Sequence, residues 1–171
     1  MNVLELGPAR SANVEFWSHY KSSIFVADLR ASLPLPFWAE DQQFPESEWG
    51  RILELPEGRL YDVILAWDLL NYIELPVLPS LINYITQFCK PGSLLFFLIF
   101  DQPQIPAEIT IYKIMDERRV TYELNGTGTR ACPRHQPRVL TNLLCQFRTS
   151  DSFRLKNGIV EYIFTYASAS K

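Results

Sequence analysis

The stretch Val3-Leu4-Glu5-Leu6-Gly7-Pro8-Ala9-Arg10-Ser11-Ala12 constrains this chain more than any other. Val3 to Leu6 reads as a short buried strand and Gly7 as a turn. Ser11 reads as the N-cap of a helix on which Val14, Trp17 and Tyr20 recur at helical spacing. A strand, a tight turn and a helix N-terminus together aim backbone N–H groups and a positive dipole end at one crevice. A nucleotide-like ligand, if one is bound, belongs there. Ile24-Phe25-Val26-Ala27 is a second strand-like run closing on Asp28, so the opening unit is β-α-β, the connection that parallel strands require.

Further along, Pro34, Pro36 and Pro45 punctuate a mixed segment rich in aromatic residues (Phe37, Trp38, Phe44, Trp49), with a short helix expected over Phe37 to Gln42. Ile52 to Leu55 is expected as a third strand. Tyr61 to Trp67 is the clearest interior strand, bounded by Glu57-Gly58 and Asp68. Pro76 to Phe88 places Leu78, Leu81, Ile82 and Ile85 on one helical face and ends at the breaker Lys90-Pro91-Gly92. Leu94 to Phe100 is another interior strand. Strands alternating with helical patterns give an α/β fold with a mostly parallel sheet. The last third differs: residues 109–124 read as an inserted hairpin, Asn125 to Thr129 as loop, Val139 to Phe147 as helix, and Phe153 to Lys156 with Ile159 to Tyr166 as a hairpin around Asn157-Gly158.

Composition narrows the function classes. At 171 residues the chain suits a single domain, 1–171. Its 16 Lys and Arg against 19 Asp and Glu give a net charge of −3, which argues against a nucleic-acid footprint spread over the surface. Cys89, Cys132 and Cys145 share no short metal spacing, and His19 and His135 are far apart, so neither a metal site nor a disulfide framework is implied. No signal peptide is read at the N-terminus, and the apolar run Leu94 to Phe100 is too short to span a bilayer. The expectation is a soluble, cytoplasmic protein. Arg118, Arg119, Arg130, Arg134, His135 and Arg138 form a basic concentration whose commonest explanation is a solvated loop face.

In open α/β sheets ligands bind outside the carboxyl ends of the strands. Aspartates stand at three such ends (Asp28, Asp68, Asp101), and Glu5 lies inside the first strand. Asp28 is positioned to accept hydrogen bonds from a ribose diol, near the roughly 20-residue spacing of such units. The bland alternative is that each aspartate caps its strand or the next helix, and for Asp101 that is the stronger reading.

These residues carry a family resemblance. Val3-Leu4-Glu5-Leu6-Gly7 resembles the first motif of class I S-adenosylmethionine-dependent methyltransferases. Tyr61 to Leu70 resembles that family's fourth-strand motif, Lys90-Pro91-Gly92-Ser93-Leu94-Leu95 the turn into its fifth strand, and the Asn157-Gly158 hairpin its antiparallel last strands. The resemblance implies a Rossmann-like α/β sandwich with a mostly parallel seven-stranded sheet and a C-terminal antiparallel hairpin. It implies S-adenosylmethionine as cofactor: Glu5 as the motif's acidic residue, Gly7, Ala9 and Ser11 against the methionine part, Asp28 on the ribose, Leu29 beside the adenine, and Trp67 with Asp68 at the methyl-transfer mouth. Catalysis in this family is largely the positioning of an acceptor in line with the sulfonium methyl.

There are departures. Ala9 and Ser11 replace two glycines of the first motif, and a side chain tolerates close backbone approach less well than glycine. Arg51 stands where an acidic residue beside the adenine is usual, with Glu54 nearby. The first strand starts almost at Met1, so the family's N-terminal lid is expected to be missing. Two readings follow: a methyltransferase acting on an unknown small-molecule or protein acceptor, or a catalytically inactive pseudoenzyme serving as a binding or scaffold subunit. A homo-oligomer or a partner chain completing the site is compatible with either.

Overall fold

A computed structural model describes residues 1–35, 44–133 and 135–167. The short helix expected over Phe37 to Gln42, and Arg134, lie outside them.

The first unit forms as the sequence directs. Strand β1 (Asn2–Glu5) pairs in parallel with β2 (Ser23–Val26), and helix α1 (Ser11–Ser18) connects them. The face expected of α1 is corrected. Val14 and Tyr20 are 41% and 42% exposed, and the residue α1 buries is Asn13. Ser11 is already inside the helix; Arg10 holds the cap position and makes no side-chain cap bond. After β2, Asp28 heads a 3-10 turn over Leu29–Ser32, and helix α2 follows at Glu46–Leu53.

The seven-stranded expectation is corrected to six, because Ile52 to Leu55 is not a strand. Ile52 and Leu53 finish α2, and Glu54 ends it in the left-handed conformation at φ 46°. Glu46 and Glu48 in the first turn and Arg51 in the last suit the helix dipole, while Trp49 and Leu53, one turn apart, supply its buried face. That local helix signal outweighs a four-residue β-like run.

Strand β3 (Tyr61–Trp67) then pairs with the other side of β1, and helix α3 (Leu78–Thr86) leads to β4 (Cys89–Phe100), parallel to β3. Leu78, Leu81, Ile82 and Ile85 of α3 are buried. The Lys90-Pro91-Gly92 turn is absorbed into β4 as an irregularity: pairing passes from Tyr61↔Cys89 to Val63↔Leu94, with Gly92 at φ 91°. Short strands β5 (Gln104–Pro106) and β8 (Thr129–Ala131) pair with each other, where loop is expected around Asn125 to Thr129. Between them β6 (Ile111–Asp116) and β7 (Arg119–Glu123) form a separate antiparallel hairpin.

Helix α4 (Pro137–Leu143) is shorter than its apolar pattern, because β9 (Phe147–Arg154) begins earlier than expected. β9 is an edge strand exposed after Phe147, so its polar run Arg148 to Ser152 carries no apolar signal; pairing with β10 (Ile159–Tyr166) makes it a strand. The main sheet runs β2-β1-β3-β4-β10-β9, with β10 antiparallel to both neighbours. Sheet growth therefore reverses direction at β1, toward β2 and then toward β3. The crevice at the carboxyl ends of β1 and β3 is the topological switch point, where this class of sheet binds ligands.

Candidate functional site

Gly7 leaves β1 directly beside the end of β3, and what faces it is Trp67. A Cβ at Gly7 would fall 3.1 Å from Trp67 Cδ1 and 3.3 Å from Glu5 Oε1. Such a distance is tight enough that only glycine sits there without displacing the indole. Trp67 itself lies at φ 46° and is 4% exposed. The left-handed backbone costs about 1 kcal/mol or more in a bulky residue, so packing must hold it. Its ring stacks on Tyr112 of the β6–β7 hairpin at 5.0 Å with 7° between planes, and meets the edge of Phe96 at 5.4 Å. Its Nε1 donates to Glu5 Oε1.

Glu5 is 1% exposed. Its second oxygen accepts from Asn13 Nδ2 at 3.2 Å. Burial pushes its carboxyl up to about 7, against the pull of the Trp67 and Asn13 donors. Asn13 is the residue that sequence reasoning missed. Its amide also donates to Tyr112 O at 3.3 Å and accepts from Ile114 N at 2.8 Å, so it docks the edge of β6 onto α1 and β1. A buried asparagine with all these partners is satisfied; truncated, it leaves several buried groups unpaired. Asn13→Ala is expected to cost about 2–3 kcal/mol, and to speed amide exchange at Ile114 more than in the main sheet, as hydrogen-exchange NMR would read. Uniform protection at Ile114 would contradict the latch.

Asp68, next in chain, is fully buried. Thr110 N donates to its Oδ2 at 3.2 Å, whereas among the described residues Oδ1 has no aligned partner. Burial raises this carboxyl to about 6, opposed by hydrogen bonding from Thr110 and Tyr112. Asn71 pins the segment that follows: its Nδ2 donates to Asp68 O and Leu98 O, both at 2.8 Å, and its Oδ1 accepts from Phe100 N at 3.0 Å.

The remaining sequence-derived candidates are less concentrated. Asp28 stands half-buried at the end of β2, where its Oδ1 accepts from Arg30 N at 3.1 Å and so caps the 3-10 turn. Leu29 is fully buried in the core. Ala9, on the turn into α1, and Ser11, its first residue, are exposed. Arg51 is on α2, paired with Glu48 at 3.1 Å. The basic concentration is dispersed: Arg119 pairs with Asp116, Arg130 lies over the Tyr72 ring, and His135 is buried with Nε2 donating to Leu70 O. Asp101 pairs with Arg154.

Among the described residues, three cavities flank this region. One of about 810 Å³ lies between α1 and the β6–β7 turn, one of about 430 Å³ between Arg30 and Arg130, and one of about 270 Å³ beneath Tyr112 and Tyr122. None of the three is lined by Gly7, Asp28, Trp67 or Asp68. Among the described residues no cluster of three or more His, Cys, Asp or Glu is placed to hold a metal ion, and no helix is long and apolar enough to cross a membrane.

Solved structures share this architecture. An S-adenosylmethionine-dependent methyltransferase from Clostridium acetobutylicum matches with a TM-score of 0.55 at 12% identity, over 98% of this chain and 84% of its own. The 1,6-didemethyltoxoflavin-N1-methyltransferase of Burkholderia thailandensis, solved with 1,6-didemethyltoxoflavin and S-adenosylhomocysteine bound, matches at 0.54 and 14%, over 98% and 71%. The N-methyltransferase NodS of Bradyrhizobium japonicum matches at 0.53 and 15%, over 98% and 86%. The fold is that of the class I S-adenosylmethionine-dependent methyltransferases. Neither a protein-family model nor a curated protein sequence matches the chain. Within this methyltransferase fold the switch-point crevice holds, in this chain, the indole of Trp67.

Proposed function

We propose that this chain binds S-adenosylmethionine at the switch point between β1 and β3, and acts as a methyltransferase whose crevice is closed at rest by its own Trp67. The observation that carries the reading is the convergence of Glu5, Gly7, Asp28 and Asp68 on the carboxyl ends of three adjacent parallel strands. The donor set suits the cofactor. Glu5 already accepts two N–H donors and has the chemistry to accept those of an ammonium, and Asp28 is half-exposed where hydroxyls would be held. The space beside Gly7 suits it once the indole has swung away. When bound, the cofactor supplies an electrophilic methyl group, and the acceptor is a small molecule or a protein.

A second reading, a non-catalytic methyltransferase-fold protein serving as a binding or scaffold subunit, draws on one specific observation. The Trp67 indole stacks on Tyr112 and bonds to Glu5, filling the position by Gly7. Calorimetric titration with millimolar S-adenosylmethionine separates the two. Heat from the native chain that Asp28→Ala abolishes supports cofactor binding; silence from both the native chain and a Trp67→Ala variant leaves the scaffold.

A further inference from the structure

The cavity of about 270 Å³ beneath the β6–β7 hairpin differs in chemistry from every other concavity described. Its floor is Phe100, Ile105 and Ile159, at 5%, 1% and 8% exposure, and its wall is the corner formed by the Tyr112 and Tyr122 rings, 6.4 Å apart and tilted by 46°. Among the described residues no Asp, Glu, Lys, Arg or His lines it, although 20% of the chain is charged. The polar groups at its border are hydroxyls, side-chain amides and loop backbone, all neutral. By contrast, the other two cavities carry Glu117, Arg118 and Arg119, or Arg30, Glu108 and Arg130.

We propose that this cavity is a binding site for a small, uncharged aromatic molecule. Apolar floor and aromatic walls supply contact area, and neutral hydrogen-bonding groups orient the ligand, as in ligand pockets generally. An ionised ligand would be taken from water with no counter-charge waiting, which is the costliest kind of burial. Exposure of Tyr122, at 57%, keeps one side open for entry. The site does not depend on the cofactor reading. Tyr112 borders the cavity and stacks on Trp67, so this aromatic pair stands between the cavity and Gly7.

The test uses the full chain, methyl-labelled at isoleucine, with three probes of one shape: benzamide, benzoate and benzylamine. The Ile105 and Ile159 methyl resonances are expected to shift saturably with millimolar benzamide, and benzoate and benzylamine to bind at least about tenfold more weakly. Thr127→Trp, on the exposed rim loop, is expected to abolish the benzamide shifts, and Asp28→Ala to leave them unchanged. No shift with benzamide, equal binding of the charged probes, or full binding in a folded Thr127→Trp protein overturns the assignment. Loss of benzamide binding in Asp28→Ala would do so too, by placing the ligand in the cofactor crevice instead.

Discussion

Trp67→Ala is expected to bind S-adenosylmethionine about tenfold or more tightly than the native chain, while losing about 3–5 kcal/mol of stability. The two effects have one cause. The indole is 4% exposed and wedged between Tyr112, Phe96 and the Gly7 turn, so removing it leaves a cavity at the switch point. The same truncation frees one Glu5 oxygen. A protein whose binding-competent conformer is a minor one binds more weakly by that fraction, and a substitution favouring the open form removes the deficit. Urea denaturation reads the stability and calorimetry the affinity. A Trp67→Ala protein that folds but binds no better than native would mean that the indole is core and not a gate.

The second large effect is on pH. Glu5 and Asp68 have folded-state values of about 7 and about 6, both above those of ordinary carboxyls. The native state therefore keeps protons that the unfolded chain has released, and stability falls as pH rises. The contribution is complete below the unfolded values, and is lost as pH climbs through about 6 and then about 7. For groups this buried, the loss is on the order of 2–3 kcal/mol each. Urea midpoints measured from pH 5 to pH 8 are expected to decline, with Glu5→Gln flattening the upper part of the curve and Asp68→Asn the lower. A midpoint that rises over this range would show that both carboxylates are charged and well paired in the native state.

The sheet interior was the legible part of the sequence. Val3 to Leu6, Tyr61 to Trp67 and Leu94 to Phe100 are apolar runs whose strands are largely buried, and burial is what a hydrophobic pattern records. The Asn157-Gly158 turn was equally plain, because it carries its own conformational chemistry: Gly158 has φ 74°. Edge and local competition hid the rest. β9 is polar and owes its form to β10, and Ile52 to Leu55 lost to a helix with favourable end charges. The strand ends of the site followed from the same patterns, but its closure did not. The resemblance places Trp67 at the methyl-transfer mouth but carries no sign that its ring fills the crevice, and Asn13 looks like an ordinary helix polar residue. Their roles come from the β6–β7 hairpin, 99 and 101 positions after Asn13 at its contacts and well beyond Trp67, whose backbone and Tyr112 ring meet them only in the fold. A lone asparagine amid the apolar face of an eight-residue helix was the one available hint.

The most direct test follows the indole N–H resonance of Trp67 in the 15N-labelled native chain, assigned by its loss in Trp67→Phe. Bonded to the Glu5 carboxylate, it is expected far downfield, and to move as Glu5 titrates near pH 7. Added S-adenosylmethionine is expected to shift it toward the position of a solvent-exposed indole, in proportion to the bound fraction. Cofactor binding that leaves this resonance in place would contradict the gate, and with it the site assigned between β1 and β3.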